Sequence, residues 1–195
     1  GGVAHCRRDL ELEGGRGLKI QCSHYEPEMR GADQLPCVIY LHGNSGSRCD
    51  ATEAIRLLLP ARITVFTLDL SGSGLSEGEY VTLGAREVQD VAAVVAHLRE
   101  QGRTSKIGIW GQSMGAVTAL LYANRDPTIA GIVLDSPFSS LHQLMMELVG
   151  QFTAGSRVPV PRMATRMALS FVRSSIKSRA KFDINDLDIV KTVPT

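Results

Sequence analysis

Residues 106–123, KIGIWGQSMGAVTALLYA, limit this chain more than any other stretch. An apolar run ends at Trp110. Gly111-Gln112-Ser113-Met114-Gly115 follows, then a helical pattern with Ala116, Ala119, Leu120 and Ala123 along one side. That is a strand, a sharp turn and a helix, with a serine on the turn. A serine there takes a strained backbone conformation, and side chains two positions to either side would collide. Gly111 and Gly115 remove the collision and lift the hydroxyl clear of the sheet edge. The helix that starts at the turn aims unpaired N–H groups, and the positive end of its dipole, at whatever the serine attacks. Ser113 is therefore the candidate nucleophile, because G-x-S-x-G carries weight only in this strand-to-helix setting.

Around that turn the chain alternates. Residues 9–25 read as an antiparallel hairpin, with Leu10, Leu12, Leu18, Ile20 and Cys22 alternating with polar residues across a Gly14-Gly15-Arg16-Gly17 turn. One face is wet and one packed, as at the border of a sheet. Residues 26–36 form a polar loop. Four apolar runs follow at Cys37–Leu41, Ile63–Leu68, Lys106–Trp110 and Ile129–Leu134. They are continuous rather than alternating, as strands covered on both faces should be. Helices are expected at 51–59, at 84–101 and after Ser113. The second should bury Val88, Val91, Ala92, Val95 and Leu98 and keep Glu87, Asp90 and Arg99 on a polar side. This alternation defines an α/β fold with a mostly parallel sheet and helices on both faces. After Leu134 the order changes. Helices are expected over 139–152 and about 161–179, set apart by Gly155, Pro159 and Pro161, as a small insertion above the sheet. A linker, FDINDLDIVKTVPT, closes the chain.

Size and composition bound the function. A chain of 195 residues buries a real core as one domain, or most of one. A formal net charge of +1 provides no global field for nucleic acid or an acidic partner. No apolar run is long enough to span a membrane. The segment GGVAHCRRDLELEGG lacks the apolar centre of a signal peptide. Cys6, Cys22, Cys37 and Cys49 fit no metal spacing, and read as reduced thiols, two of them buried in strands. A cytoplasmic setting is expected. No metal or organic cofactor is implied.

Reacting groups gather at the C-terminal ends of parallel strands, and the distinctive loops fall there. His42-Gly43-Asn44 can offer the backbone N–H of Asn44, and Met114 offers another beside the serine. Two such donors would form an oxyanion hole, worth about 3–4 kcal/mol of barrier each. His42 could be a general base, but holding its own loop by hydrogen bonding is the preferred reading. Gly72-Ser73-Gly74 fails as a phosphate motif because Glu77 stands where a glycine is needed, and reads as a tight loop. Asp135 could orient a catalytic histidine; a carboxylate capping the next turn is the preferred alternative, and Asp69 reads the same way. Residues 157–181 carry Arg157, Arg162, Arg166, Arg173, Lys177, Arg179 and Lys181 with no acid, while Met163, Met167 and Phe171 share another stripe. Peripheral contact with an anionic membrane is one reading. A lid helix packing its Met/Phe stripe over the pocket, with a solvated basic face, is the preferred one.

YLHGNSG (40–46), LDLSGSGLSEG (68–78), the Glu87/Asp90 helix, IWGQSMGA (109–116) and LDSPF (134–138) resemble the α/β-hydrolases. More narrowly, they resemble the serine-aminopeptidase-like and lysophospholipase-like branch, which includes protein depalmitoylases. The resemblance implies an α/β-hydrolase core over 1–138, a helical lid over 139–182 and a linker over 183–195. It implies Ser113 as nucleophile, Asn44 and Met114 as oxyanion donors, and an ester or thioester of acyl type as substrate. It places the acid and histidine after two further strands. KTVPT resembles the lead-in to the first of these, so the chain is expected to be an N-terminal portion, nearly inert by itself. A catalytically inactive binding module and a serine aminopeptidase are the alternatives.

Overall fold

The computed structural model of the chain describes residues 4–28, 33–154 and 162–192, with side chains left out at 152–154, 162–166 and 192. The chain divides into two compact units, Gly1–Pro137 and Phe138–Thr195.

Among the described residues the first unit is built on six strands: β1 (His5–Glu13), β2 (Lys19–Pro27), β3 (Leu35–Leu41), β4 (Thr64–Leu68), β5 (Thr104–Gln112) and β6 (Gly131–Asp135). Their order across the sheet is β1-β2-β4-β3-β5-β6. The expected hairpin is the antiparallel β1–β2 pair, and β2 runs antiparallel to β4. β4, β3, β5 and β6 are parallel neighbours. The fold is α/β-hydrolase-like, with β3 and β5 central to it.

Period-two alternation sorts the strands onto two faces. Ile39, Phe66 and Ile109 lie in register across three parallel strands, and the Phe66 ring packs 6.0 Å from His97 of α2 (Val88–Glu100). Tyr40 and Val65 point to the other face, where they join Ala51, Ala54 and Leu59 around α1 (Thr52–Leu58). α3 (Met114–Ala123) follows β5 and is buried along nearly its whole length, which explains its uniformly apolar sequence.

Three expectations are corrected here. The helix expected from residue 84 begins at Val88, because the Glu87 carboxylate turns back to accept the Thr82, Gly84 and Arg86 N–H groups and the Thr82 hydroxyl. Glu87 and Asp90, assigned to a polar side, are fully buried, whereas Ala92 is exposed and Val94 takes a core position. β6 is not covered on both faces: its residues alternate between exposed and half-buried, and Val133 is 51% exposed. β6 forms one border of the sheet among the described residues. An apolar groove of about 390 Å³ lies against the same region, lined by Val38, Ile63, Trp110 and Ile132 among others.

The second unit contains α4 (Leu141–Ala154), α5 (Arg162–Arg179) and the short α6 (Ile189–Thr192). Residues 155–161, with the expected Gly155, Pro159 and Pro161 break, lie outside the described residues, as do 193–195. The segment expected to be a linker is folded. Ile184–Asp186 forms a 3-10 turn, Asp188 bridges to Ser140, and Asp183, Ile184, Leu187 and Ile189 are buried. Asp183 anchors it by accepting two 2.7 Å hydrogen bonds from the Arg173 guanidinium and one of 3.2 Å from Lys177. The bidentate Arg173 contact holds the Asp183 carboxyl well below the usual carboxylate range.

Asp126 clamps the helices of the first unit. It accepts the Thr128 hydroxyl at 2.6 Å and amide at 3.1 Å, the Tyr122 hydroxyl of α3 at 3.0 Å and the Arg99 guanidinium of α2 at 2.8 Å. The Thr128 hydroxyl above all, with help from Arg99 and Tyr122, holds the carboxyl down at about 2. A carboxyl whose folded value is depressed contributes stability that is complete above its unfolded value, about 4, and is lost as pH falls through the folded value. Asp126→Asn should therefore melt below the wild type at neutral pH, with the gap closing between about pH 4 and pH 2. Thermal melts across that range check this, and a gap independent of pH contradicts it.

Candidate active site

Ser113 sits between β5 and α3 at φ 50° and ψ −110°, a left-handed backbone conformation that a side-chain-bearing residue rarely adopts. The neighbouring glycines are obligatory on steric grounds. A Cβ on Gly111 would stand 2.2 Å from the Gly115 carbonyl oxygen, and one on Gly115 would stand 2.2 Å from the Leu41 carbonyl oxygen. Strand β5, helix α3 and the end of β3 thus meet backbone to backbone at this turn. The Ser113 N–H donates to the Asp135 carbonyl at 2.7 Å, and the Ser113 carbonyl accepts the first helical bond from Val117 at 3.1 Å.

The loop after β3 lies alongside. A Cβ on Gly43 would be 3.7 Å from the Ser113 Cβ, ordinary contact distance. Asn44 follows on an exposed turn closed by the Gly46 N–H on the Gly43 carbonyl at 3.0 Å. Neither the Asn44 N–H nor the Met114 N–H has a hydrogen-bond acceptor among the described residues. Ser45, Ser113 and Ser136 each carry positive φ, at 64°, 50° and 54°. These three strained residues stand at the C-terminal ends of β3, β5 and β6, where strain of this kind tends to be concentrated by function.

His42 is fully buried and structural. Its Nδ1 lies 2.7 Å from the Gly43 carbonyl, and its Nε2 accepts the Leu70 N–H at 3.0 Å. An Nε2 that accepts requires Nδ1 to carry the proton, so the ring is neutral and ties the β3 loop to the β4 loop. Asp69, expected to cap a turn, does more. It accepts the Arg48 N–H at 2.7 Å and the Leu75 N–H at 3.0 Å, and pairs with the Arg48 guanidinium. Arg48 was not singled out in the sequence; a lone arginine near a loop carries no periodic signal. Buried Asp90 accepts the Ser71 N–H and hydroxyl at 2.9 and 2.6 Å, and burial pushes its carboxyl up from the ordinary aspartate range. Gly72 and Gly74 take positive φ in a tight loop folded over Asp69, as expected.

Asp135, the candidate acid, is not brought to a histidine of the first unit among the described residues. Its carboxylate is exposed and accepts the Ser136 hydroxyl at 2.8 Å, and its contact with the Ser113 turn runs through its backbone carbonyl. The other histidines of the first unit lie elsewhere: His24 is buried beside Cys37 and Glu26, His97 meets Gln101, and His5 is exposed on the outer strand. His142 belongs to the second unit, where it lines a pocket of about 330 Å³ with Met146, Leu169 and Arg173. Among the described residues no group of three His, Cys, Asp or Glu side chains could hold a metal ion. The four cysteines are free thiols; burial pushes Cys22 up to about 12. No described helix is long and apolar enough to cross a membrane.

The sheet order and the strained serine turn define an α/β-hydrolase. Residues 33–192 match the family described as Hydrolase_4, serine aminopeptidase, S33, and the chain belongs to that family. It is 29% identical over 139 residues to the alpha/beta hydrolase domain-containing protein WAV2 of Arabidopsis thaliana, covering 68% of this chain and 43% of that protein. It is 26% identical over 170 residues to the lysophosphatidylserine lipase ABHD12 of Gallus gallus, covering 69% and 44%. The chain thus spans about half the length of the curated relatives it matches. Among solved structures, the Pyrococcus furiosus esterase Pf2001 superposes with a TM-score of 0.68 at 25% identity, covering 85% of this chain and 64% of that one.

Relieving the strain at the turn should be measurable. Ser113→Gly is expected to stabilise the fold by about 1 kcal/mol, because glycine reaches this φ without penalty, whereas Ser113→Ala leaves the strain in place. Gly115→Ala should cost at least about 3 kcal/mol through its backbone clash. Urea unfolding compares all three; a glycine variant no more stable than the alanine variant contradicts the strain assignment.

Proposed function

We propose that the protein is a serine hydrolase of carboxylic esters or thioesters of acyl type, acting through an acyl-enzyme on Ser113. The observation that carries this reading is the strained serine at a helix start, with the Gly43 loop at contact distance from its Cβ and with the Met114 and Asn44 N–H groups finding no acceptor among the described residues. In this reading the Ser113 hydroxyl attacks the acyl carbon and gives up its proton to a base. The two N–H groups and the start of α3 stabilise the negative charge that develops on the carbonyl oxygen. The leaving alcohol or thiol takes a proton from the protonated base. Water then attacks the acyl-serine, releasing the acid and restoring the hydroxyl. Gly111 and Gly115 are proposed to hold this geometry.

The contacts of His24, His42 and His97, and the place of His5 on the outer strand, support a base supplied by polypeptide other than the first unit, with its orienting acid. Asp135 contributes its backbone carbonyl. Esterase and lipase relatives support an ester substrate; the extension to thioesters and long acyl chains is our own, prompted by the Met, Leu and Phe content of the helical segment. The free thiols support a reducing compartment such as the cytoplasm. The absence of a base beside Ser113 in the first unit favours one rival, an inactive hydrolase-fold binding module.

A fluorophosphonate probe decides between them. Protein expressed from its complete reading frame should label, and Ser113→Ala should abolish the label and lower ester turnover by about 10³-fold or more. A panel of acyl esters, acyl thioesters and amino-acid amides reads out substrate class, with the esters expected to turn over fastest. Absence of labelling, or labelling that survives Ser113→Ala, favours the binding module; preference for the amides favours an aminopeptidase.

A further inference from the structure

The loop that carries Asn44 is pinned at its two ends. At its start, the buried His42 ring accepts the Leu70 N–H at 3.0 Å. At its end, Arg48 meets Asp69, the residue just before Leu70. The Arg48 N–H donates to Asp69 Oδ1 at 2.7 Å, and the Arg48 guanidinium pairs with Oδ2. Between the pins, the Gly46 N–H donates to the Gly43 carbonyl and the Ser47 N–H to the Asp50 carboxylate, so these bonds stay inside the segment. Two consecutive residues after β4 therefore set where the turn at 43–47 stands.

The two pins differ in kind. His42 makes a neutral bond. Arg48 makes a charge-assisted pair with a carboxylate whose side chain is only 2% exposed, and its Nε also donates to the Ser23 hydroxyl of β2 at 3.2 Å. A planar guanidinium held at two points keeps one orientation, which a lysine ammonium cannot copy. Asp69 is itself held fast. Its N–H donates to the Gln21 carbonyl at 2.8 Å, its carbonyl accepts the Ser76 hydroxyl at 2.6 Å, and its Oδ2 accepts the Leu75 N–H at 3.0 Å. Gly74 lies so close that a Cβ there would stand 2.3 Å from the Asp69 carboxyl carbon. An ion pair this enclosed adds little net stability, because desolvation offsets the attraction. What it supplies is a fixed point at the foot of the Asn44 turn.

We propose that Arg48 is a positioning residue for the Asn44 N–H: locked to Asp69 and Ser23, it holds that donor where the carbonyl oxygen of a substrate on Ser113 acquires negative charge. The role rests on the serine hydrolase reading above. A donor displaced by about 1 Å loses much of its hold on the transition state and little on the bound substrate. In the complete protein, Arg48→Ala should therefore lower kcat for an acyl ester by about 10–100-fold and leave KM within about threefold. Affinity for an alkyl trifluoromethyl ketone, whose adduct on a serine carries an oxyanion, should fall in proportion to kcat/KM. Arg48→Lys keeps the charge but reaches only one of the two partners, so its kcat should lie between those of Arg48→Ala and the wild type. It carries the test should Arg48→Ala fail to fold, as circular dichroism reports. Arg99→Gln loosens the Asp126 clamp instead, and should melt lower while keeping kcat. Wild-type kcat in either folded Arg48 variant, a loss confined to KM, or a loss that the ketone affinity does not follow would overturn the role. Ser113-dependent turnover in the same assay leaves the hydrolase reading standing in each of those cases, whereas its absence from the wild type overturns both.

Discussion

Everything at the candidate site depends on three stretches of backbone in direct contact. The end of β5, the first turn of α3 and the end of β3 approach so closely that no side chain fits between them. Gly111 faces the Gly115 carbonyl, and Gly115 faces the carbonyls of Leu41 and His42. The register Leu41↔Gly111 brings β3 and β5 to the same level, so the loops leaving both strands emerge side by side. Ser113 is forced to positive φ by that convergence, and the same packing delivers the Asn44 turn next to it. The geometry of the Ser113 turn and that of the Asn44 turn are one consequence of a single steric fact.

A ring of buried polar side chains then fixes the loops that the sheet delivers. His42 joins the β3 loop to the β4 loop. Asp69 ties the β4 loop to Arg48 on the segment after β3, and Asp90 ties Ser71 to α2. Glu87 gathers the turn at 82–86, where Gly84 presses against Val117 and Thr118 of α3. Glu87 is held by backbone N–H and hydroxyl donors, Asp69 by backbone N–H groups and the Arg48 guanidinium, and Asp90 by Ser71 through one oxygen while its other oxygen has no partner among the described residues; loss of such a partner in a buried site costs about 1–3 kcal/mol, more when a charge is stranded. The network gives specificity to loops that have little apolar area of their own.

Much of this was legible in the residues. The four parallel strands, the border hairpin and the glycine-flanked serine are local patterns, and a strand or a tight turn is decided locally. What escaped the sequence was set by tertiary contact. Glu87 and Asp90 sit where helical periodicity assigns solvent, yet both are buried because loops fold back over them. In α5, two apolar stripes occur on one helix, and periodicity alone cannot say which packs within the second unit; the burial of Leu169 and Ala180 shows that theirs does. The segment from Asp183 onward reads as a linker because its apolar residues are few and irregularly spaced, but Arg173 pins it through Asp183.

The central claim is that the Ser113 hydroxyl carries the acyl group in transit. Rapid quenching of the complete protein during turnover of an acyl ester, followed by peptide mass mapping, reads this directly. An acyl adduct on the peptide containing Ser113, formed and lost on the timescale of turnover, is the expected result. Turnover with that peptide unmodified, or with the adduct on the exposed Cys49 instead, would contradict it.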